Sequence, residues 1–159
     1  MRLDQQVSSR RINELNEWDE AWVTLHIRHR TLEPEAITEL MGIEPDEVIR
    51  KGESLTGDDC RFEVPADNHI WMLSSEEKVK AKYFKEQAHL NWVLNQISGH
   101  LPTLKYIQQS GGSTDVYLHS SSWSRLAHLE LEPETMMTLA RYRLPLKMDF
   151  YYENSDEDY

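Results

Sequence analysis

The sequence is poor in cysteine and has no long apolar run, and both absences restrict the kind of protein it encodes. Cys60 is the only cysteine in 159 residues, which excludes an intramolecular disulfide and a cysteine-based zinc cluster. No uninterrupted hydrophobic stretch approaches the length of a membrane-spanning helix. The polar N-terminal segment lacks the apolar core of a secretory signal. We therefore expect a soluble cytoplasmic protein.

Positive charge is also scarce. The chain has 17 Lys and Arg against 28 Asp and Glu, which gives a net charge of −11. Such a chain repels phosphate backbones and anionic lipid headgroups, so neither nucleic acid nor a membrane is an expected partner. A protein partner with a basic surface fits better. Periodic apolar segments, within a 39% hydrophobic composition, argue against a disordered chain.

The length of the chain predicts one domain, because a chain of this size buries roughly two thirds of its unfolded surface. We assign residues 1–20 to an N-terminal extension with a short helix, in which Ile12, Leu15 and Trp18 are spaced three apart. Residues 21–152 form the α+β domain. Residues 153–159 form an acidic tail.

A tetrapeptide, Leu-Glu-Pro-Glu, occurs twice and opens a short helix each time. It begins at Leu32 and again at Leu131. Proline suits the first turn of a helix, because its missing N–H has no intrahelical partner there. Gly42 ends the first helix in a left-handed conformation, and Pro145 closes the second.

Alternating apolar and polar residues predict strands over 22–28 and 146–152. Shorter strands are predicted over 61–64, 69–73, 104–107, 115–119 and 128–131. Ser74 and Glu77 have the spacing of a capping box, which predicts that the longest helix begins at Ser74 and ends near Gly99 and Pro102. This order indicates a ferredoxin-like sandwich with a repeated β-α-β unit. Its sheet is mostly antiparallel and is covered by helices on one face.

Several of these features together resemble the DUF4279 family. They are Leu-x-Pro-Glu opening a helix, Gly42-Ile43-x-Pro45, the basic turn Arg50-Lys51-Gly52, and the segment Ile-Trp-Met-Leu-Ser-Ser at 70–75. The resemblance runs from Trp22 to Tyr152. The chain departs from the family pattern by its N-terminal segment and by Ile49, where an aromatic residue is expected. The resemblance implies no established activity, but family members look like proteins found beside secreted toxins, which implies an immunity role.

Candidate catalytic and metal-binding residues carry little signal. The seven histidines form no HExxH motif, and His26 and His29 lie three apart on a strand, so they face opposite ways. Cys60 follows Asp58 and Asp59, whose charges disfavour the reactive thiolate. No glycine-rich segment has the lysine of a phosphate-binding loop. We therefore expect no catalytic residue, no cofactor and no metal.

Candidate partner-binding residues fall into three groups. Outward-facing strand residues form the first group: Trp22, His26, Arg28, Tyr117, His119 and Tyr151. Acidic loop residues form the second: Glu44, Asp46, Glu47, Asp58 and Asp59. Arg50 and Lys51 form the third, either as a contact for a carboxylate or as an internal ion pair. A mixture of aromatic and charged residues on an open sheet face is typical of a protein interface. Alternatively, a second layer or the N-terminal segment covers that face.

The leading hypothesis is a non-enzymatic protein-binding module, specifically an immunity protein that neutralises a cognate bacterial toxin with a basic surface. The alternative is a small ligand-binding protein or enzyme that uses the Arg50-Lys51 turn and Trp71 as a pocket. In that case Trp71 would point away from the long helix, with Ile70 and Met72 towards it. A structural or homo-oligomeric role is a third hypothesis, and the oligomeric state stays open.

Overall fold

The computed structural model describes residues 20–55, 64–81, 84–122 and 129–152. The predictions for the N-terminal helix, for Asp58, Asp59 and Cys60, for strand residues 61–63 and for the acidic tail lie outside these residues. The strands are β1 (Glu20–His29), β2 (Glu47–Ile49), β3 (Ser54–Leu55), β4 (Val64–Pro65), β5 (His69–Ser74), β6 (Ser113–Ser122) and β7 (Leu146–Tyr152). The helices are α1 (Pro34–Met41), α2 (Lys85–Gln96), α3 (Leu101–Gln109) and α4 (Pro133–Arg141).

Five of the strands form one mixed sheet in the order β2-β5-β1-β6-β7. The central strand β1 pairs antiparallel with β5 and β6, and β2 pairs antiparallel with β5. At the other edge, β7 runs parallel to β6. The short strands β3 and β4 pair separately. The protein is therefore an α+β fold, and no helix in the described residues is long and apolar enough to cross a membrane.

Strict alternation along β1 gives the sheet two different sides. Val23, Leu25 and Ile27 are fully buried, whereas the residues between them are partly exposed. All four helices bury residues in the same core as these three side chains, for example Ile37, Leu90, Leu104 and Leu139. We call the opposite side the open face. It is formed by Trp22, Thr24, His26 and Arg28 of β1, Asp115, Tyr117 and His119 of β6, and Lys147, Asp149 and Tyr151 of β7.

Both Leu-Glu-Pro-Glu helices are confirmed. Each has its proline in the first turn, and Gly42 ends α1 with φ +64°. The strands around the two helices differ, however. The strands that flank α1 are separated by β5, whereas those that flank α4 are adjacent and parallel. Residues 129–131, predicted as strand, are not in one. The sequence repeat therefore covers the helix and does not extend to the strand arrangement.

The predicted capping box at Ser74 is wrong, and α2 begins eleven residues later, at Lys85. Ser74 is the last residue of β5, where it pairs with Thr24 and its N–H donates to Asp46 Oδ2 at 2.7 Å. The Ser74 hydroxyl accepts a hydrogen bond from Glu76 N at 3.2 Å, which makes a local turn. A short hydroxyl side chain serves a turn as well as a helix N-cap, so the spacing alone did not distinguish the two.

The predicted strand at 104–107 is also wrong, because these residues lie within α3. Leu104 and Ile107 are three apart and fully buried, which is the spacing of one helical face. Pro102 lies in the first turn of α3, where proline favours a helix start. Four residues were too few to separate helical from strand periodicity.

Trp71 faces the helices, which is opposite to the orientation considered above. It is the largest fully buried side chain among the described residues, and its indole Nε1–H donates to Thr38 Oγ1 of α1 at 3.0 Å. The neighbouring residues Ile70 and Met72 face the open side of the sheet. Trp71 thus joins α1 to β5 through both packing and a hydrogen bond.

We predict that Thr38→Val lowers the free energy of unfolding by about 1–3 kcal/mol, because it leaves the buried Trp71 indole N–H without an acceptor. Valine resembles threonine in shape and in helix propensity, so packing changes little. Thr38→Ser keeps the acceptor and is the matched control. Urea denaturation of the three proteins measures the difference, and equal loss in both variants would contradict the role of the hydrogen bond.

Candidate functional site

The strand register brings together the aromatic and charged residues predicted to bind a partner. Between β1 and β6, Trp22 lies opposite His119, Thr24 opposite Tyr117, and His26 opposite Asp115. Between β6 and β7, Lys147 lies opposite Tyr117 and Asp149 lies opposite His119, and Tyr151 lies one row further along, opposite Ser121. Because successive side chains of a strand alternate between faces, all of these residues share the open face.

Four aromatic rings on three strands form a stacked cluster around His119, which we call the aromatic cluster. His119 is at the centre, with its ring centroid 4.9 Å from that of Trp22 and 4.8 Å from that of Tyr117. The Tyr151 ring is nearly parallel to that of His119, at 6.5 Å. These separations lie within the range of favourable aromatic contacts. Trp22 lies on β1, Tyr117 and His119 lie on β6, and Tyr151 lies on β7, so the paired strands hold this aromatic cluster in order without a partner.

A buried carboxylate lies beside the aromatic cluster, two residues before Tyr117 on β6. Asp115 has only 5% of its surface exposed, and three basic side chains contact its two oxygens. Arg28 Nη1–H donates to Oδ2 at 2.6 Å, and Lys147 Nζ–H donates to Oδ2 at 3.0 Å. His26 Nδ1–H donates to Oδ1 at 3.0 Å. A buried charge is tolerated when it is paired and hydrogen-bonded, as Asp115 is here.

The protonation states of this cluster follow from burial and from the opposing charges. Burial disfavours the charged form of Asp115, but hydrogen bonds and charges from Lys147, Arg28 and His26 outweigh it, so the pKa of Asp115 is lowered from 3.8. Burial also lowers the pKa of His26 from 6.5, and the hydrogen bond to Asp115 only partly opposes this shift. The cluster therefore holds an ionised Asp115 and favours neutral His26 at neutral pH.

A second carboxylate, that of Asp149 on β7, contacts two rings of the aromatic cluster. The Tyr117 hydroxyl donates to Asp149 Oδ2 at 2.6 Å, and the Tyr151 hydroxyl lies 3.4 Å from the same oxygen. This hydrogen bond to Asp149 raises the pKa of Tyr117 above 10. Burial lowers the pKa of His119 from 6.5, although the nearby Asp149 opposes the shift. Asp149 thus fixes the orientation of both tyrosine rings.

The acidic residues of the second predicted group have different roles. Asp46 accepts a hydrogen bond from Ser74 N and forms an ion pair with Lys78, so it is part of the fold. Glu44 and Glu47 are exposed. Glu47 lies opposite Met72 on the row that contains His26 and Asp115, at the edge of the open face. Among the three members of this group that the structure describes, Glu47 is therefore the one that extends the open face.

Arg50 and Lys51 contact different elements: the Arg50 side chain contacts the start of α1, and the Lys51 backbone contacts β5. Arg50 forms ion pairs with Glu33 and Glu35, the two acids of the first Leu-Glu-Pro-Glu motif. These contacts lower the pKa of Glu35 to about 2, chiefly through the hydrogen bond from Arg50. Lys51 N–H donates to His69 Nδ1 at 3.1 Å. The internal ion pair is therefore the observed arrangement, and the fully buried Trp71 does not join Arg50 at a surface pocket.

A polar groove of about 300 Å³ lies elsewhere, between α2 and α4. Asn91, Asn95, Thr138 and Arg141 are among its lining residues. Its buried Thr135 hydroxyl already accepts a hydrogen bond from Gln87 Nε2 at 2.7 Å. Within the described segments, no group of three or more His, Cys, Asp and Glu residues has the arrangement of a metal site.

Asp115 is the central residue that the sequence analysis did not select. In the sequence it is an acidic residue after a Ser-Gly-Gly-Ser turn, with nothing nearby to suggest burial. The one indication in the sequence was the alternation Asp115-x-Tyr117-x-His119. It puts Asp115 on the same face of the strand as Tyr117 and His119, which were both predicted to bind a partner. Its contacts with Arg28 and Lys147 depend on the register in which β1, β6 and β7 pair. That register cannot be derived from a single sequence.

We predict that Asp115→Asn lowers the free energy of unfolding by about 1–3 kcal/mol at neutral pH, because Arg28 and Lys147 lose a buried counter-charge. The lowered pKa of Asp115 means that its ionised form contributes to stability above pH 3.8. That contribution is lost as pH falls through the folded-state pKa, so the difference between the two proteins narrows at acid pH.

Asp149→Asn is the matched control for this substitution. The groups that hydrogen-bond to Asp149 are neutral tyrosine hydroxyls, and the amide oxygen of asparagine can still accept their hydrogen bonds. We expect a smaller change for it, because both tyrosine contacts with position 149 can be kept. Urea denaturation between neutral pH and pH 3 measures both variants. A constant difference for Asp115→Asn across this range would contradict the electrostatic role of Asp115.

Comparison with known proteins places the chain in one family. Residues 16–153 match the family model described as a domain of unknown function, DUF4279. No curated protein and no solved structure matches the chain. Because the matched region covers most of the sequence, the chain belongs to the DUF4279 family.

Proposed function

We propose that this chain is a non-enzymatic protein-binding module whose interface is the open face. The observation that carries the proposal is the aromatic cluster, in which Trp22, Tyr117 and Tyr151 stack around His119, beside Asp115 and the basic side chains that contact it. Interfaces are enriched in tyrosine, tryptophan and arginine at their centres, and this face provides all three.

The order of the open face supports binding without a large rearrangement. Its rings are stacked on one another and its charges are paired within the chain. A preformed surface loses less side-chain entropy on association than a mobile one does. Its backbone lies within a hydrogen-bonded sheet, so a partner meets rigid anchors.

Electrostatics favour a protein partner with a basic surface. The net charge of −11 speeds encounter with a basic protein and slows encounter with nucleic acid. On the open face, Arg28 and Lys147 both contact Asp115, which leaves them less able to neutralise phosphates. Exposed Glu47 adds negative charge at the edge of the same face.

The specific form that we propose is an immunity protein, which binds a cognate bacterial toxin and blocks its activity. This step rests on family resemblance, because DUF4279 proteins look like proteins found beside secreted toxins, and on the charge argument above. The alternative of a ligand-binding protein or enzyme at Arg50, Lys51 and Trp71 is less well supported, since Trp71 is buried and Arg50 pairs with Glu33 and Glu35.

We further propose that the domain is a ferredoxin-like sandwich with one added unit. The order β2-β5-β1-β6 has the antiparallel alternation that such a fold requires. In that assignment the first β-α-β half consists of β1, α1 and β2. The second half consists of β5, the two helices α2 and α3, and β6. The added unit, α4 with β7, extends the sheet and contributes Lys147, Asp149 and Tyr151 to the open face.

We predict that Tyr151→Ala weakens partner binding by about tenfold or more, as expected for an aromatic anchor at an interface. Tyr106→Ala is the matched control, because both tyrosines are 54% exposed and Tyr106 lies on α3, away from the open face. The partner is first identified by affinity capture of the tagged wild-type protein from lysate of its own cells, followed by mass spectrometry. The purified partner is then titrated with the wild type and with each variant to measure the affinity.

Retained binding by Tyr106→Ala with loss by Tyr151→Ala supports the proposed interface. The reverse pattern, or equal binding by all three proteins, would contradict it. Inhibition of a captured partner's toxic activity by the wild-type chain then tests the immunity role separately from the location of the interface.

A further inference from the structure

The outer edge of β7 is an unpaired strand edge within the described residues. β7 pairs with β6 alone, in parallel, and Val116 N–H donates to Pro145 O at 2.9 Å. Backbone groups of successive strand residues point to alternate sides, so those of Leu146, Met148 and Phe150 point away from β6. These groups offer hydrogen bonds to another strand.

The side chains of β7 also leave apolar surface uncovered. Met148 is 44% exposed and Phe150 is 53% exposed, although both lie on the side of the sheet that the helices cover elsewhere. Proteins commonly protect an edge strand with a proline or a bulge. The sequence of β7, LKMDFYY, contains no proline, and its pairing with β6 continues over seven residues without interruption.

We propose that β7 pairs antiparallel with β7 of a second copy of the chain, around a twofold axis at Met148. Met148 then lies opposite Met148 of the second copy, and Leu146 lies opposite Phe150. The outward backbone groups of these three residues meet as hydrogen-bonded pairs. On the open face, Lys147 lies opposite Asp149 twice, once on each side of the axis.

Charge complementarity selects this register. If the axis lay at Asp149, two aspartates of like charge would face each other across the strands. With the axis at Met148, both cross-strand charge pairs are of opposite sign and the three apolar pairs share the other face. An isologous contact of this kind closes after two copies, so it forms a dimer and does not propagate.

The resulting dimer has one continuous ten-stranded sheet, with the open faces of the two copies on the same side. This inference is independent of the proposed partner, because it concerns the purified chain alone. Pairing at the β7 edge uses outward backbone groups, the apolar side chains of Leu146, Met148 and Phe150, and the cross-strand Lys147–Asp149 pairs. The aromatic rings of the open face take no part in it, so the two contacts meet only at Lys147 and Asp149.

Sedimentation equilibrium of the purified full chain tests the proposal over a wide range of concentrations. We expect a species of twice the 18.8 kDa chain mass. Met148→Lys places two lysines at the axis and should weaken dimerisation by at least about tenfold. Met137→Lys is the matched control, since Met137 is 72% exposed on α4, and it should leave the dimer intact.

Cross-linking tests the register. In a Cys60→Ser background, Met148→Cys should form a covalent dimer with a short bismaleimide, and Phe150→Cys and Met137→Cys should form much less. Circular dichroism confirms that each variant is folded. A monomer at all concentrations would overturn the proposal, as would a dimer that is unaffected by Met148→Lys or that cross-links preferentially through Phe150→Cys.

Discussion

Pairing of β1 with β6 in a single register is the constraint on which the other features depend. It aligns Val23, Leu25 and Ile27 with the buried Val116 and Leu118 on one side, which creates the floor of the core. On the other side it places His26 opposite Asp115 and Trp22 opposite His119. A slip of one residue would put the charged set against the helices and the aliphatic set in solvent, so burial of the core also fixes the site.

The helix layer is tied to this central strand by buried polar contacts as well as by apolar packing. Ser75 Oγ accepts a hydrogen bond from Val23 N at 2.8 Å and forms another with His89 Nδ1 of α2 at 2.7 Å. Burial lowers the pKa of His89 from 6.5, which favours its neutral form in this contact. On the other flank, Trp71 and Thr38 join α1 to β5. These contacts therefore fix the position of α2 over β1 and of α1 over β5, on the same face of the sheet.

Where residues near each other in the chain determine a feature, the sequence predicted it well. The two Leu-Glu-Pro-Glu helices, the central strand and the last strand follow from proline, glycine and alternation, which act locally. The predicted helix start at Ser74 was wrong, because Asp46, which is distant in the sequence, holds Ser74 at the end of a strand. The predicted strand at 104–107 was wrong, because four residues fit the periodicity of a helix as well as that of a strand. The orientation of Trp71 depends on which side the helices cover, and that is a tertiary property.

The candidate site shows the same division. Alternation was enough to place Trp22, His26 and Arg28 on one side of a strand, and Tyr117 with His119 on one side of another. Their stacking, and the enclosure of Asp115 by three basic groups, required the order and register of β1, β6 and β7. Arg50 was open to two interpretations from the sequence, a contact for a partner's carboxylate or an internal ion pair. Its ion pairs with Glu33 and Glu35 depend on the folded position of α1, and they favour the second interpretation.

The central claim is that the open face is the surface that meets the partner, and hydroxyl-radical footprinting of the chain, alone and bound to its captured partner, tests it most directly. Mass spectrometry reports oxidation at Trp22 and Tyr151 on the open face and at Tyr106 and Met137 on the helix-covered side. We expect protection of Trp22 and Tyr151 in the complex, with Tyr106 and Met137 unchanged. Protection of Tyr106 and Met137, with Trp22 and Tyr151 still fully reactive, would place the interface on the helices and contradict the claim.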